Sequence, residues 1–188
     1  LCLAQPTSGA VRVEVDGDRA QMTTGAYEAA FTGPALTSFR DRKTGESYLA
    51  DSTPPMPVVR FVEDHEPVTV RADGPGSFEL EQTGDRTLRW TGDVNTGQGT
   101  VEVTVTATAR PDELLMEAGA SGRGGYEGVA AIGLGFGPSR ADRRVLLPHS
   151  GGYALDADGA RGRHFFNWPI GWEAAMMQLQ GRRGGLLA

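Results

Sequence analysis

Alternation of apolar and polar residues with a period of two is the feature that most constrains the fold of this chain. In residues 101–110, every second position is apolar: Val101, Val103, Val105, Ala107 and Ala109. The positions between them hold Glu102, Thr104, Thr106, Thr108 and Arg110. Because successive side chains of a β-strand point to opposite faces, this segment is predicted to be a strand with one buried and one solvent-facing side.

The same alternation recurs in shorter segments that are separated by turn residues. Residues 11–15, 78–81 and 88–91 alternate, and Thr83-Gly84-Asp85-Arg86 between the last two is typical of a hairpin turn. Further strands are predicted at 27–31, 35–40, 58–62, 68–72, 114–118, 129–136 and 145–147. Many short strands without a helix-period segment favour a sandwich or a barrel. We expect an all-β, antiparallel β-sandwich with few or no helices.

Residues 172–180 give two conflicting signals. Their sequence, WEAAMMQLQ, is rich in helix formers, and propensity alone favours a helix. The glycine-rich residues 181–185 and the apolar residues 186–188 follow directly, as a turn and a second strand would. We therefore predict that 172–180 is a strand of a hairpin.

A chain of 188 residues is long enough for one domain with a sizeable core. We expect a single β-sandwich domain over residues 6–188, truncated at its C-terminus because its last strand begins just before Ala188. Residues 1–5 are interpreted as the tail of a signal peptide, since Cys2 and Ala4 occupy positions −3 and −1 of a cut after Ala4. An arbitrary domain boundary is the alternative.

Charge and cysteine content exclude several function classes. The net charge is −6, so a nucleic-acid partner is not expected, and no apolar stretch approaches the ~18 residues of a membrane span. Cys2 is the only cysteine, which excludes an internal disulfide and a multi-cysteine metal site. The cluster Glu63-Asp64-His65-Glu66 is interpreted as a solvated connection rather than a cation site, because adjacent side chains diverge. We expect no cofactor and no metal.

No complete catalytic motif is present. The chain lacks a Gly-x-Ser-x-Gly elbow, and its three histidines are not arranged with a serine or cysteine in a recognisable pattern. A glycosidase needs two opposed carboxylates, and the sequence does not indicate which carboxylates meet. We therefore assign no catalytic residue.

Residues 147–178 concentrate aromatic and hydrogen-bonding side chains. Trp and Tyr rings stack on the apolar faces of sugars, while Asn, His and Arg bind hydroxyl groups. The predicted substrate-binding residues are His149, Tyr153, Arg163, Asn167, Trp168 and Trp172. Alternatively, these aromatic residues cap one end of the sandwich or pack against a following domain.

Several segments together resemble a known family. Three of them are Pro148-His149-Ser150-Gly151-Gly152, Phe165-Phe166-Asn167-Trp168-Pro169, and Met176-Met177-Gln178-Leu179 followed by Gly184-Gly185-Leu186-Leu187. In addition, residues 25–31, 36–41 and 44–45 look like the first strands of domains in that family. With them the chain resembles the N-terminal β-sandwich domain of bacterial glycoside hydrolases, a galactose-mutarotase-like supersandwich that precedes a (β/α)8 barrel. The resemblance implies a supporting domain, because in such enzymes the catalytic carboxylates usually lie in the barrel. Mutarotases use a His and a Glu, but the pattern around His149, His164 and Glu173 does not match theirs.

The leading hypothesis is a non-catalytic domain of a secreted or periplasmic bacterial carbohydrate-active hydrolase. Its expected partners are the C-terminal catalytic domain of the same chain, on which it packs, and the carbohydrate that binds in the cleft of that catalytic domain. The first alternative is a free-standing, lectin-like carbohydrate-binding module. The second is a sugar epimerase or lyase acting on the sandwich itself, which would need a His and a carboxylate within hydrogen-bond reach.

Overall fold

The computed structural model describes residues 11–50, 56–63, 65–96, 99–124, 128–133, 140, 142–147, 153–156 and 178–187. Fifteen strands and one short 3₁₀ turn occupy these residues. The strands are β1 (Arg12–Asp16), β2 (Arg19–Thr23), β3 (Tyr27–Thr32), β4 (Ala35–Asp41), β5 (Val58–Glu63), β6 (Glu66–Arg71), β7 (Phe78–Gly84), β8 (Thr87–Thr96), β9 (Gly99–Ala109), β10 (Leu114–Gly124), β11 (Gly128–Gly133), β12 (Arg144–Leu147), β13 (Tyr153–Asp156), β14 (Gln178–Gln180) and β15 (Gly185–Leu187).

These strands form four antiparallel sheets. Strands β1–β4 and strands β7–β10 each form a meander in which neighbours in sequence are neighbours in the sheet. The third sheet has the order β11-β5-β6, and its strand β11 adjoins β10. The fourth has the order β13-β12-β14-β15. The prediction of an all-β fold with antiparallel sheets is confirmed.

Strand β9 shows why the alternating sequence folds in this way. Val101, Val103 and Val105 are completely buried, while Glu102 between them is exposed. Its neighbour β8 buries Leu88 and Trp90 on the same face, because the two strands pair residue by residue. One face of the β7–β10 sheet is therefore apolar and must be covered by another layer.

The β1–β4 sheet provides that cover. The ring of Phe31 on β3 lies 5.0 Å from the ring of Trp90 on β8, centroid to centroid. Nearby, the hydroxyl of Tyr27 donates a hydrogen bond of 2.7 Å to the carbonyl of Glu113, in the turn between β9 and β10. The two layers enclose one continuous apolar cluster, so the chain is a β-sandwich as the sequence predicts.

Two strand predictions meet the structure only in part, and one boundary prediction is not tested by it. Residues 178–180 form strand β14, as expected for the end of 172–180, while 172–177 lie outside the described residues. Strand β11 covers the beginning of the predicted strand 129–136, and 134–136 also lie outside them. The signal-peptide interpretation concerns residues 1–5, which lie outside them as well. Within the described ranges, no helix is long and apolar enough to cross a membrane.

Candidate functional site

The predicted sugar-binding residues belong to the β12–β15 sheet and to the connections between its strands. Tyr153 is the first residue of β13, where its backbone pairs with Leu147 at the end of β12. The connection 148–152 between β12 and β13, and the connection 157–177 between β13 and β14, contain the other five. These five, His149, Arg163, Asn167, Trp168 and Trp172, lie outside the described residues.

A tight turn after β4 brings a second segment against this sheet. Asp41 Oδ1 accepts hydrogen bonds from the backbone amides of Lys43 and Thr44, at 2.7 and 3.0 Å, and Gly45 adopts a left-handed conformation with φ of 73°. An aspartate that binds amides two and three residues later, followed by glycine, is a strong turn former. The chain then returns beside β4, and the amide of Tyr48 donates to the carbonyl of Phe39 at 2.9 Å. We call residues 46–48 the docking segment.

Glu46, the first residue of the docking segment, binds the turn between β14 and β15. The residue is 6% exposed, and its carboxylate accepts hydrogen bonds from the amides of Arg182, at 2.8 Å, and Arg183, at 3.1 and 3.2 Å. Burial raises the pKa of this carboxyl, but the two amides and the positive charge of Arg143 outweigh burial and hold the pKa below its usual value. Glu46 is therefore ionised at neutral pH.

Tyr48, the last residue of the docking segment, packs against the backbone of the same turn. Its side chain is 1% exposed, and a Cβ atom at Gly184 would lie 2.9 Å from its hydroxyl oxygen. A Cβ atom at Gly181 would lie 2.5 Å from Glu46 Oε2. Glycine at both positions lets the turn backbone approach the docking segment. The Tyr48 hydroxyl has no hydrogen-bond partner within the described part of the chain, and burial, Glu46 and Asp41 raise its pKa.

Arg143, just before β12, binds the docking segment from the other side. Its side chain is 5% exposed, and its Nε and Nη2 atoms donate to the carbonyl of Ser47 at 3.1 and 2.8 Å. Nη1 donates to the carboxylate of Asp142 at 2.9 Å, and the guanidinium carbon lies 5.7 Å from the centre of the Tyr48 ring. A planar guanidinium suits both the carbonyl and the aromatic face.

These contacts join two sheets and do not suit acid–base chemistry. Glu46 and Arg143 are the buried charged side chains of the described ranges, and each is hydrogen-bonded to the backbone across the contact. A general base must reach the proton of a substrate, whereas the Glu46 carboxylate faces amide groups of its own chain. The arrangement therefore fixes where the β12–β15 sheet sits.

The acidic cluster at 63–66 forms a tight connection between β5 and β6. Glu63 ends β5, His65 adopts a left-handed φ of 65°, and Glu66 begins β6, while Asp64 lies outside the described residues. Across the described ranges, no three His, Cys, Asp or Glu side chains are grouped as a metal site would require.

The sequence did not indicate Glu46, Tyr48 or Arg143. The turn signal at Thr44-Gly45 was readable, and so was the glycine-rich turn 181–185. Their association was not, because Glu46 and Arg182 are 136 positions apart and no local pattern links them. The only available clue was a pair of glycines, Gly181 and Gly184, at close spacing after a strand.

Neither the models of protein families nor the curated proteins contain a match to this chain.

Proposed function

We propose that this chain is the non-catalytic β-sandwich domain of a secreted bacterial carbohydrate-active hydrolase, packing on a catalytic barrel and lining its sugar cleft. The supporting observation is that the buried carboxylate, Glu46, is bound to two backbone amides of the chain itself. An all-β sandwich agrees with the galactose-mutarotase-like architecture that the sequence motifs resemble. The function of the parent protein is part of this proposal.

The chemistry of glycoside hydrolysis supports a non-catalytic role for the described residues. The reaction needs a carboxylic acid with a raised pKa facing a carboxylate about 5–10 Å away. The pKa of Glu46 is shifted in the opposite direction, because hydrogen bonds from amides stabilise its ionised form. Glu46 therefore does not suit the role of the catalytic acid of a glycosidase. The proposal places the catalytic pair of carboxylates in the barrel.

The placement of the predicted sugar-binding residues supports a role at the rim of a cleft. Tyr153 begins β13, the other five occur in the two connections of the β12–β15 sheet, and the docking segment contacts that sheet through Glu46 and Arg143. Loops held by a rigid scaffold commonly carry binding residues. In this proposal Trp168 and Trp172 contribute stacking surfaces, while His149 and Asn167 bind hydroxyl groups.

The test is an activity assay of the purified 188-residue chain on a panel of aryl glycosides. We expect no turnover above that of buffer. Turnover that follows the protein through purification would refute the non-catalytic assignment, whether or not Glu46→Gln removes that turnover.

The aromatic residues at 165–172 favour a second candidate, a free-standing lectin-like module. This module would bind glycans in isolation, and Trp168→Ala or Trp172→Ala would abolish binding in titration calorimetry. Val15→Ala, which shortens an exposed apolar side chain on β1, is the matched control. No heat of binding across a broad glycan panel would exclude the module and leave the supporting domain.

A further inference from the structure

The β14–β15 hairpin is short, and in the described part of the chain it is joined to its sheet through the pairing of β14 with β12. Each strand contains three residues, Gln178–Gln180 and Gly185–Leu187, and a single bond of 2.8 Å from the amide of Gly181 to the carbonyl of Gly184 closes the turn. Leu179 is buried and Leu186 is half-buried. Short elements with few apolar contacts open at a lower free-energy cost than the global unfolding of a protein.

Within the described residues, the Glu46 carboxylate supplies the hydrogen bonds that attach this hairpin to the docking segment. Hydrogen bonds to an ionised acceptor are roughly twice as strong as bonds between neutral groups. The amides of Arg182 and Arg183 point at this carboxylate, and both belong to the turn itself. A neutral carboxyl or carboxamide keeps the shape of Glu46 but loses the charge that strengthens the attachment.

The other charged and titratable groups around Glu46 come from three elements. Asp41 and Tyr48 belong to its own hairpin, Arg143 with its partner Asp142 lies before β12, and the side chains of Arg182 and Arg183 extend from the turn. The charges of Arg143 and Arg183 favour the ionised carboxylate, as do the backbone amides of Arg182 and Arg183. At neutral pH the attraction prevails, so the attachment is intact.

We propose that ionised Glu46 is a latch that holds the β14–β15 hairpin against the docking segment, and that neutralising this carboxylate opens the hairpin locally. The β7–β10 sheet stays folded when the latch opens, because its long ladders and its apolar face do not involve Glu46. The inference is independent of the proposed function. It makes the β14–β15 hairpin a separately opening unit of the sandwich.

Amide hydrogen exchange of the 188-residue chain, resolved by residue with NMR, tests this latch. In Glu46→Gln we expect the protection of the Arg182 and Arg183 amides to fall by about tenfold or more, while β8 and β9 amides keep theirs. Glu28→Gln is the matched control, since Glu28 is a half-exposed carboxylate on β3 that pairs with Arg40 and Arg42. It should leave the turn amides unchanged.

A pH series gives a second, independent measurement on the unmodified chain. The folded-state pKa of Glu46 lies below 4.5, so its contribution is present above that pH and is lost as the pH falls through the folded-state value. The protection of the Arg182 and Arg183 amides should fall in that acid range, and in Glu46→Gln it should be low at every pH. Unchanged protection in Glu46→Gln, an equal loss in β8 and β9, or a variant that fails to fold would each overturn the latch.

Discussion

Replacing Gly92 with alanine tests the pairing of β7 with β8, on which one layer of the sandwich depends. Gly92 lies directly opposite Phe78, and a Cβ atom added there would lie 2.6 Å from the carbonyl oxygen of Ser77 and 2.7 Å from Phe78 Cδ1. Both distances are too short for real contacts, and the carbonyl belongs to the backbone, so the strands must move apart. Overpacking of this kind costs about 1–3 kcal/mol of the free energy of unfolding.

Gly119→Ala is the matched control for this substitution. Gly119 lies on β10 of the same sheet, is exposed, and has no atom within 4 Å of an added Cβ. Alanine in the interior of a strand is more favourable than glycine by about 0.5–1 kcal/mol, so this variant should be slightly more stable than the parent. Because Gly92→Ala has the same gain, the two variants should differ by the overpacking cost, about 1–3 kcal/mol.

Urea unfolding, followed by circular dichroism and by tryptophan fluorescence, measures the difference. The slope of the free energy against urea should be unchanged, and only the midpoint should move. Equal stabilities of Gly92→Ala and Gly119→Ala would refute the reasoning, because Phe78 would then not lie opposite Gly92. A register shift of one residue would also turn Phe78 out of the core, where it is now buried.

Two tyrosines give further predictions. Tyr48→Phe should raise the free energy of unfolding by about 1 kcal/mol, because it removes a buried hydroxyl without a hydrogen-bond partner in the described ranges, and a loss on chemical denaturation would contradict that. Tyr27→Phe should lower it by about 1 kcal/mol, because the Tyr27 hydroxyl donates to the carbonyl of Glu113. Burial raises the pKa of Tyr27 from 10 to about 12, so its contribution is complete below pH 10 and is lost as the pH rises to 12. Tyr27→Phe should lack this alkaline step in a stability–pH series, and a step of equal size in both proteins would show that it arises elsewhere.

The strands that were predictable are those whose apolar residues alternate strongly. The valines of β9 identify it from sequence alone, and β10 was predicted only over residues 114–118. The structure extends β10 to Gly124, because the long β9 offers a partner to each residue of the glycine-rich part. Strand β2 was missed, since its buried residues Ala20 and Met22 are weak strand formers and pairing with β1 and β3 decides its conformation.

The contact between the docking segment and the β12–β15 sheet was not predictable for a different reason. Each half of it has a local explanation: Asp41 and Gly45 form one turn, and glycines form the other. Nothing local pairs Glu46 with Arg183, because that choice depends on how the layers stack after the strands have formed. Sequence patterns specify the faces of strands well and the docking of one sheet on another poorly.

The two buried charges of this contact do not pair with each other; each is hydrogen-bonded to backbone groups of the opposite half. The carboxylate of Glu46 binds amides of the β14–β15 turn, and the guanidinium of Arg143 binds the carbonyl of Ser47 in the docking segment. Each half thus supplies one buried charge and the backbone groups that the other charge needs. A shift of the β12–β15 sheet by one residue would take Glu46 away from both amides and Arg143 away from the Ser47 carbonyl, although Arg143 would keep Asp142 beside it. A buried charged group that loses its hydrogen bonds is costly. These reciprocal hydrogen bonds therefore restrict where the β12–β15 sheet sits on the docking segment.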